Sequence, residues 1–342
     1  MSKQSSALLS TTQVILIGIA WGLISLLFFL LFSVPPPGQE QPDWYFVGIT
    51  ILETGAFLGA GLLCLRNWRS SQIVSGRSVW LWIGIGLLCY VAGNGLFYLW
   101  GNVWGQDPSV SLGDGFYLLS YVFLTVGMLQ AVLPRRLNLE AQQWIVIAVV
   151  GLSGIALAYF LNYVVTEPVV DEAPPEALEQ VVPATPDTAP DAAPDAAAPD
   201  PAAAEMPAPS PAPAEAAPEE DGTAVPAWVL QVDEMLDPYE GIVSLMYVAG
   251  DCILVVVAAT LLVAFWSGRF SQSWKLIAIA ALCLYVADMF FAFSVKQADY
   301  QEGALWEVFW TFSALFFGIG AVVEHAISSR ASRRPSRRRR AG

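Results

Sequence analysis

Eight stretches of about twenty apolar residues constrain this chain more than anything else in it, because about twenty helical residues are what the hydrocarbon core of a bilayer requires. They are Val14–Val34, Trp44–Leu65, Val79–Trp100, Gly115–Leu133, Trp144–Val165, Ile242–Trp266, Trp274–Val295 and Ala304–Ala326. A backbone in lipid must satisfy its N–H and C=O groups internally, so runs of this length predict membrane-spanning helices. Composition agrees. Charged residues make up 13% of the chain, half the roughly 25% of soluble domains, and the mean hydropathy is +0.54. The first run reads as a retained helix. It is too long for a signal peptide, starts from a single Lys3, and meets Pro35-Pro36-Pro37 without a small-residue cleavage site.

Charge is blocked along the sequence, and blocks of charge act as topology signals or tails. The formal net charge of -14 comes from one place: 14 of the 30 acidic residues lie between Glu167 and Asp221, where there is no Lys or Arg. The connections alternate. Arg66, Arg69 and Arg77 fill the second, Arg135 and Arg136 the fourth, and Arg269 and Lys275 the sixth, while the first, third and fifth have no base and the seventh has only Lys296. By the positive-inside rule both termini are cytoplasmic and the acidic segment is extracytoplasmic, as in a cell inner membrane or an equivalent internal membrane. Several tryptophans, among them Trp44, Trp80, Trp100, Trp144 and Trp274, fall near span ends, where interfacial rings are expected.

Residues 166–226 are rich in Pro, Ala, Asp and Glu. Frequent proline forbids helix and low hydrophobicity forbids a core, so this part reads as a disordered linker. After it, WVLQVDEMLDPYEGIV predicts a short interfacial helix with Trp228, Leu230 and Met235 as bilayer contacts. The halves on either side resemble each other. Cys89-Tyr90-Val91-Ala92-Gly93 is echoed, with one residue inserted, by Cys283-Leu284-Tyr285-Val286-Ala287-Asp288. Asp114, Ser120, Phe123 and Gly127 match Glu307, Ser313, Phe316 and Gly320 at constant spacing, and Glu53 matches Asp251 when Trp68 is set on Trp266. Corresponding spans run in the same direction, which predicts a parallel duplication.

The expected fold is therefore an all-α integral membrane protein of about eight transmembrane helices, arranged as two parallel four-helix repeats joined by a disordered acidic linker. A first four-helix membrane half covers 1–165, the linker 166–226, a second half 227–327 (three spans plus the interfacial segment), and a cytoplasmic Arg-rich tail 328–342. The spans alone leave open whether the repeat is complete or whether Thr11–Val34 or Trp144–Val165 is the unmatched helix.

An ionisable group inside a span costs about 2.5–3.5 kcal/mol on insertion scales, which makes it a functional candidate. Glu53, Asp251 and Asp288 lie within spans, Asn94 adds an amide at similar depth, and Asp114 and Glu307 lie near outer ends. These six residues form the candidate ligand or ion site. Two structural readings stand beside it: hydrogen bonds between helices, and, for Asp114 and Glu307, favourable placement at helix N-termini. Other chemistry finds no support in the sequence. The one histidine, His325, beside Glu324, cannot supply paired haem ligands, and its place predicts a solvated interfacial pair. Cys64, Cys89, Cys252 and Cys283 form no metal-binding spacing and read as small packed thiols. No nucleophile–base set or phosphate loop occurs, so no enzyme activity, cofactor or metal is expected. The tail, with seven arginines from Arg330 to Arg340, suits anionic lipid or a topology signal, and nucleic acid is not expected as a partner.

Three motif groups carry a family resemblance. They are Met246-Tyr247-x-x-Gly250-Asp251, Val286-Ala287-Asp288-x-x-Phe291 and Tyr300-x-x-Gly303-x-x-Trp306-Glu307-x-x-Trp310, with Gly93-Asn94 and Pro108-Ser109-x-x-x-Gly113-Asp114-x-x-Tyr117-Leu118-x-x-Tyr121 as the first-half counterpart. The pattern resembles the multi-helix membrane regions at the N-termini of bacterial diguanylate cyclases and related signalling proteins. That resemblance implies a sensory or ligand-responsive module with Asp114, Asp251, Asp288 and Glu307 at pattern positions. The sequence departs from the pattern in having Asn94 where an acid is typical, and in carrying the acidic insertion. Such regions usually feed a cytoplasmic output domain, and the residues after Ala326 are too few for one. The expectation is a signal passed to a separate protein partner. An ion- or proton-coupled small-solute transporter and a structural component of a membrane complex remain as alternatives.

Overall fold

The structure is a computed structural model describing residues 10–36, 38–39, 41–133, 140–161, 225–265, 271–297 and 302–333. The expectations for the acidic linker, for Arg135, Arg136, Arg269 and Trp266, and for the end of the arginine tail lie outside the described residues. Those described belong to one compact unit drawn from both sides of the linker.

Among them the chain is helical throughout, in nine α-helices: α1 (Thr11–Phe32), α2 (Asp43–Arg69), α3 (Arg77–Tyr98), α4 (Leu112–Val132), α5 (Ala141–Tyr159), α6 (Ala227–Leu236), α7 (Glu240–Ala264), α8 (Ser271–Ser294) and α9 (Val308–Arg333). Eight helical segments are long and apolar enough to cross a membrane, in agreement with the eight sequence runs; five of them, α1–α5, precede the linker, where the expected first half has four. The sixth is longer than expected, because α6 continues through a single 3-10 turn, Asp237–Tyr239, into α7. Local chemistry sets the boundaries. Ser10 and Gln13 cap α1 reciprocally, with Ser10 N donating to Gln13 Oε1 at 2.8 Å. Pro42 and Pro226 precede α2 and α6, where a residue without an N–H costs nothing. Gly76 enters α3 at φ 103°, a backbone conformation that side chains disfavour.

Six helices close a ring. α2 packs on α3, α3 on α4, α4 on α7, α7 on α8, α8 on α9, and α9 returns to α2. α1 lies outside the ring against α9 and α2, and α5 lies outside it against α7. The order explains why α1 is so little covered by protein. The most apolar stretch of α1 has mean hydropathy 2.8 yet is only 17% buried. A helix apolar all round with most of its surface uncovered needs lipid as its solvent.

Between helices in lipid the hydrophobic drive is absent, so close packing and hydrogen bonds hold the ring. Glycine provides the closeness in two of the closely packed pairs, α3 with α4 and α8 with α9. A Cβ on Gly127 of α4 would meet the Val79 carbonyl of α3 at 3.1 Å, and one on Gly320 of α9 the Ser273 carbonyl of α8 at 3.3 Å. Polar side chains add bonds across helices: Asn67 donates to the Ala321 carbonyl at 2.8 Å, and Ser273 to the Gly320 carbonyl at 2.9 Å. Each is worth about 0.6 kcal/mol on average in membranes.

The tryptophans divide in a way the sequence did not indicate. Trp44 and Trp144 are exposed, but Trp80, Trp100 and Trp274 are buried. Trp80 and Trp274 face each other across the ring with centroids 5.8 Å apart. The four cysteines are free, and Cys64 is fully packed.

The close approach at Gly127 makes a direct prediction. Gly127→Val drives a side chain into the α3 backbone and is expected to cost about 1–3 kcal/mol, the usual range for overpacking, read as a lower melting temperature in nanodiscs. Gly95→Ala, where nothing lies within 4 Å, should change stability by less than about 0.5 kcal/mol. Equal effects of the two would show that this helix pair is not in contact as described.

Candidate functional site

The bundle contains a cavity of about 590 Å³ at the end that the charge pattern assigns to the outside. All six sequence-predicted residues, Glu53, Asn94, Asp114, Asp251, Asp288 and Glu307, line it. Glu53 and Asp251 sit about 15 Å along their helices from the starts of α2 and α7 at the 1.5 Å rise per residue, so the cavity penetrates well into the bundle.

Two sets of three side chains form its deep wall, one in each half of the ring. In the first, Asn94 of α3 donates to Glu53 of α2 at 3.0 Å and to Thr54 at 3.2 Å, and Tyr117 of α4 donates to the Asn94 carbonyl oxygen at 2.9 Å. In the second, Asp251 of α7 and Asp288 of α8 lie within hydrogen-bonding reach of each other, and Trp310 of α9 donates to Asp288 at 2.8 Å. Asn94 and Tyr117 hold places in the first set comparable to those of Asp288 and Trp310 in the second.

Tyr121 of α4 joins the two sets. Its hydroxyl lies 2.8 Å from Asp251 Oδ1 and 2.6 Å from Asp288 Oδ2. A phenol has one hydrogen, so it serves both oxygens only if a further proton or positive charge enters the group. Glycines seat the two tyrosines. A Cβ on Gly93 would fall 2.7 Å from the Tyr117 ring, and one on Gly250 would fall 2.9 Å from the Tyr121 ring. The dipeptides Gly93-Asn94 and Gly250-Asp251 therefore pair a gap for a ring with the polar group that its hydroxyl reaches.

Asp114 and Glu307 are engaged differently. Asp114 Oδ2 accepts from Ser111 N at 2.7 Å and Ser111 Oγ at 2.9 Å, closing the cap of α4, while Tyr247 of α7 donates to Oδ1 at 2.8 Å. Glu307 accepts from Gly303 N at 3.0 Å and Ala304 N at 3.1 Å, just before α9. Both carboxylates sit at helix N-termini, where they complement the dipole, so their first role is capping. Below the cavity, Phe57 stacks on Tyr90 at 3.9 Å, and Leu87, Leu124, Leu254 and Phe317 are completely buried. This apolar layer closes the inner side.

The site holds more than the sequence candidates. Tyr117, Tyr121, Tyr247 and Trp310, which enter the sequence reading only as positions of the motif groups, and Glu302, which does not enter it, also line the site. Asp114-x-x-Tyr117-x-x-x-Tyr121 and Glu307-x-x-Trp310 recur at helical spacing and place acid and ring on one face. Glu302 reaches solvent at the cavity mouth, but the surrounding protein desolvates it. That burial, and secondly Asp107, raise its carboxyl to about 7. At the other end of α9 the structure corrects one expectation: Glu324 is fully buried and accepts from Ser328 at 3.2 Å, so it is not half of a solvated pair with His325. Among the described residues no group of His, Cys, Asp and Glu is arranged to hold a metal ion.

Comparison with known proteins gives no match to the chain among family models, curated proteins or solved structures.

The raised Glu302 predicts a pH dependence with a definite sign. The folded protein holds this proton up to about pH 7, whereas an unfolded glutamate releases it near 4.5. Glu302 therefore favours the fold most below pH 4.5, and that contribution falls as pH rises and levels off above 7. Melting temperature against pH should decline less steeply between 4.5 and 7 in Glu302→Gln than in the unmodified protein. Superimposable curves would contradict the desolvation of Glu302 by the surrounding protein.

Proposed function

We propose that the chain is a ligand-binding membrane module of sensory type, which takes a small molecule from the outer side and reports through a separate partner. The observation that carries this reading is the 590 Å³ cavity, a size usual for small-molecule sites, into which polar side chains from both halves of the ring converge. The apolar layer beneath it supports a binding site over an open path. On this reading the two triads descend from a parallel duplication, Glu53–Asn94–Tyr117 and Asp251–Asp288–Trp310 being its two copies, with α1 and α5 as the peripheral first helix of each. The membrane is an inner or equivalent internal one, both termini face the cytoplasm, and the tail meets anionic lipid or the partner. The signalling resemblance of the motifs points the same way.

The test is a chemically mixed library of water-soluble metabolites, screened by thermal shift on the purified full-length protein in nanodiscs. Some compounds should stabilise the unmodified protein by several degrees and have no effect on Ala292→Trp, which fills the cavity at a lining position. A ligand bound at 100 times its Kd adds about 2.7 kcal/mol. Stabilisers that act equally on both proteins would place binding elsewhere and sink this reading. Gradient-driven accumulation of a stabilising compound in proteoliposomes would favour the transporter alternative.

A further inference from the structure

We infer that the ligand is an organic cation, a quaternary or protonated amine on an apolar body, whose charged head sits against Asp251, Asp288 and the Tyr121 ring. This rests on the reading that the cavity binds a small molecule, and it names the class.

Three independent features point to it. The first is charge. Seven carboxyl side chains line the cavity against one basic residue, Lys296. With Asp114 and Glu307 set aside as caps and Lys296 counted as neutralising a third acid, four acids remain. The second is the proton inventory at the Asp251–Tyr121–Asp288 bridge. Four carboxyl oxygens are served by one phenol hydrogen and one indole hydrogen, in a place where an unmatched buried charge is costly. An arriving positive charge completes this set in place of a proton shared between the two carboxyls. The third is the wall itself. Tyr90, Tyr117, Tyr121, Tyr247 and Trp310 surround the acids, and aromatic faces attract a cation within about 6 Å.

Size then separates organic from inorganic. A bare metal ion wants several oxygens at 2.0–2.6 Å, and no such group exists among the described residues. The volume accommodates a head with an attached body. Phe46, Phe97 and Phe291 line the cavity nearer the outer helix ends than Glu53, Asp251 and Asp288 do, so the apolar part extends toward the mouth. Glu302 stands at that mouth, and as pH rises through about 7 and its carboxyl ionises it draws cations in.

The test uses two probes of the same shape that differ by one charge: 3-hydroxyphenyltrimethylammonium and 3-tert-butylphenol. Calorimetric titration is run on the full-length protein in nanodiscs, with empty nanodiscs subtracted. The cation is expected to bind at least tenfold more tightly than the phenol. Asp288→Asn should lose at least tenfold for the cation and change little for the phenol. Ala292→Trp should abolish both, with melting curves confirming that each variant is folded. Equal affinity for the two probes, or an unchanged cation affinity in Asp288→Asn, overturns the cation assignment and leaves the ligand-binding reading in place. Absence of binding by either probe to folded protein also overturns the assignment, while the library screen decides the broader reading separately.

Discussion

Everything around the cavity is arranged about the contact of one phenol with two carboxyl groups. Tyr121 comes from α4, Asp251 from α7 and Asp288 from α8, so this contact crosses from one half of the ring to the other. In lipid, no apolar burial pulls helices together, and hydrogen bonds with close packing decide which faces meet. The bridge consequently fixes the rotation of three helices at once. The same rotation opens the space beside the acids. Tyr247 to Asp114 ties α7 to α4 a second time, and the ring closes on the other side where α9 meets α2 through Asn67 and the Ala321 carbonyl.

The cost of this arrangement explains its neighbours. Carboxyl groups deep in a bundle need donors: Asn94, itself held by Tyr117, serves Glu53, while Tyr121 and Trp310 serve Asp251 and Asp288. Each of these rings presents one hydrogen and a large apolar body. Such side chains satisfy a buried acid and fill space at the same time. Their size demands gaps in the facing helix, which Gly93 and Gly250 provide. Packing, polar satisfaction and cavity shape are thus set by the same few residues. The function suggested for the site uses what is left over: acceptor capacity that the rings do not fill.

Much of this was legible in the sequence, and the reasons are physical. Span count follows from length and hydropathy, and each of the eight runs has its helix. All six candidate side chains reach one cavity, because a polar group in an apolar span has few places to go except inward. Three things were not legible. The ring order, with α1 and α5 outside, depends on which faces meet, and apolar residues look alike whether they touch lipid or protein. Trp80, Trp100 and Trp274 read as interfacial from their positions near helix ends but are buried. The tyrosines stood out only as motif positions and not as site residues, because a tyrosine in an apolar run is ordinary and its spacing from an acid becomes meaningful only once the helix faces are known.

The central claim is that Tyr121 and Asp288 interact directly and hold the two halves in register. A double-mutant cycle with Tyr121→Phe, Asp288→Asn and both together, scored by reversible unfolding in mixed micelles, tests it most directly. Direct contact predicts a coupling energy of about 0.5–3 kcal/mol, with the double variant losing less than the sum of the single ones. Additive losses would show that the hydroxyl and the carboxyl do not meet, and the account of the site built on that contact would fall.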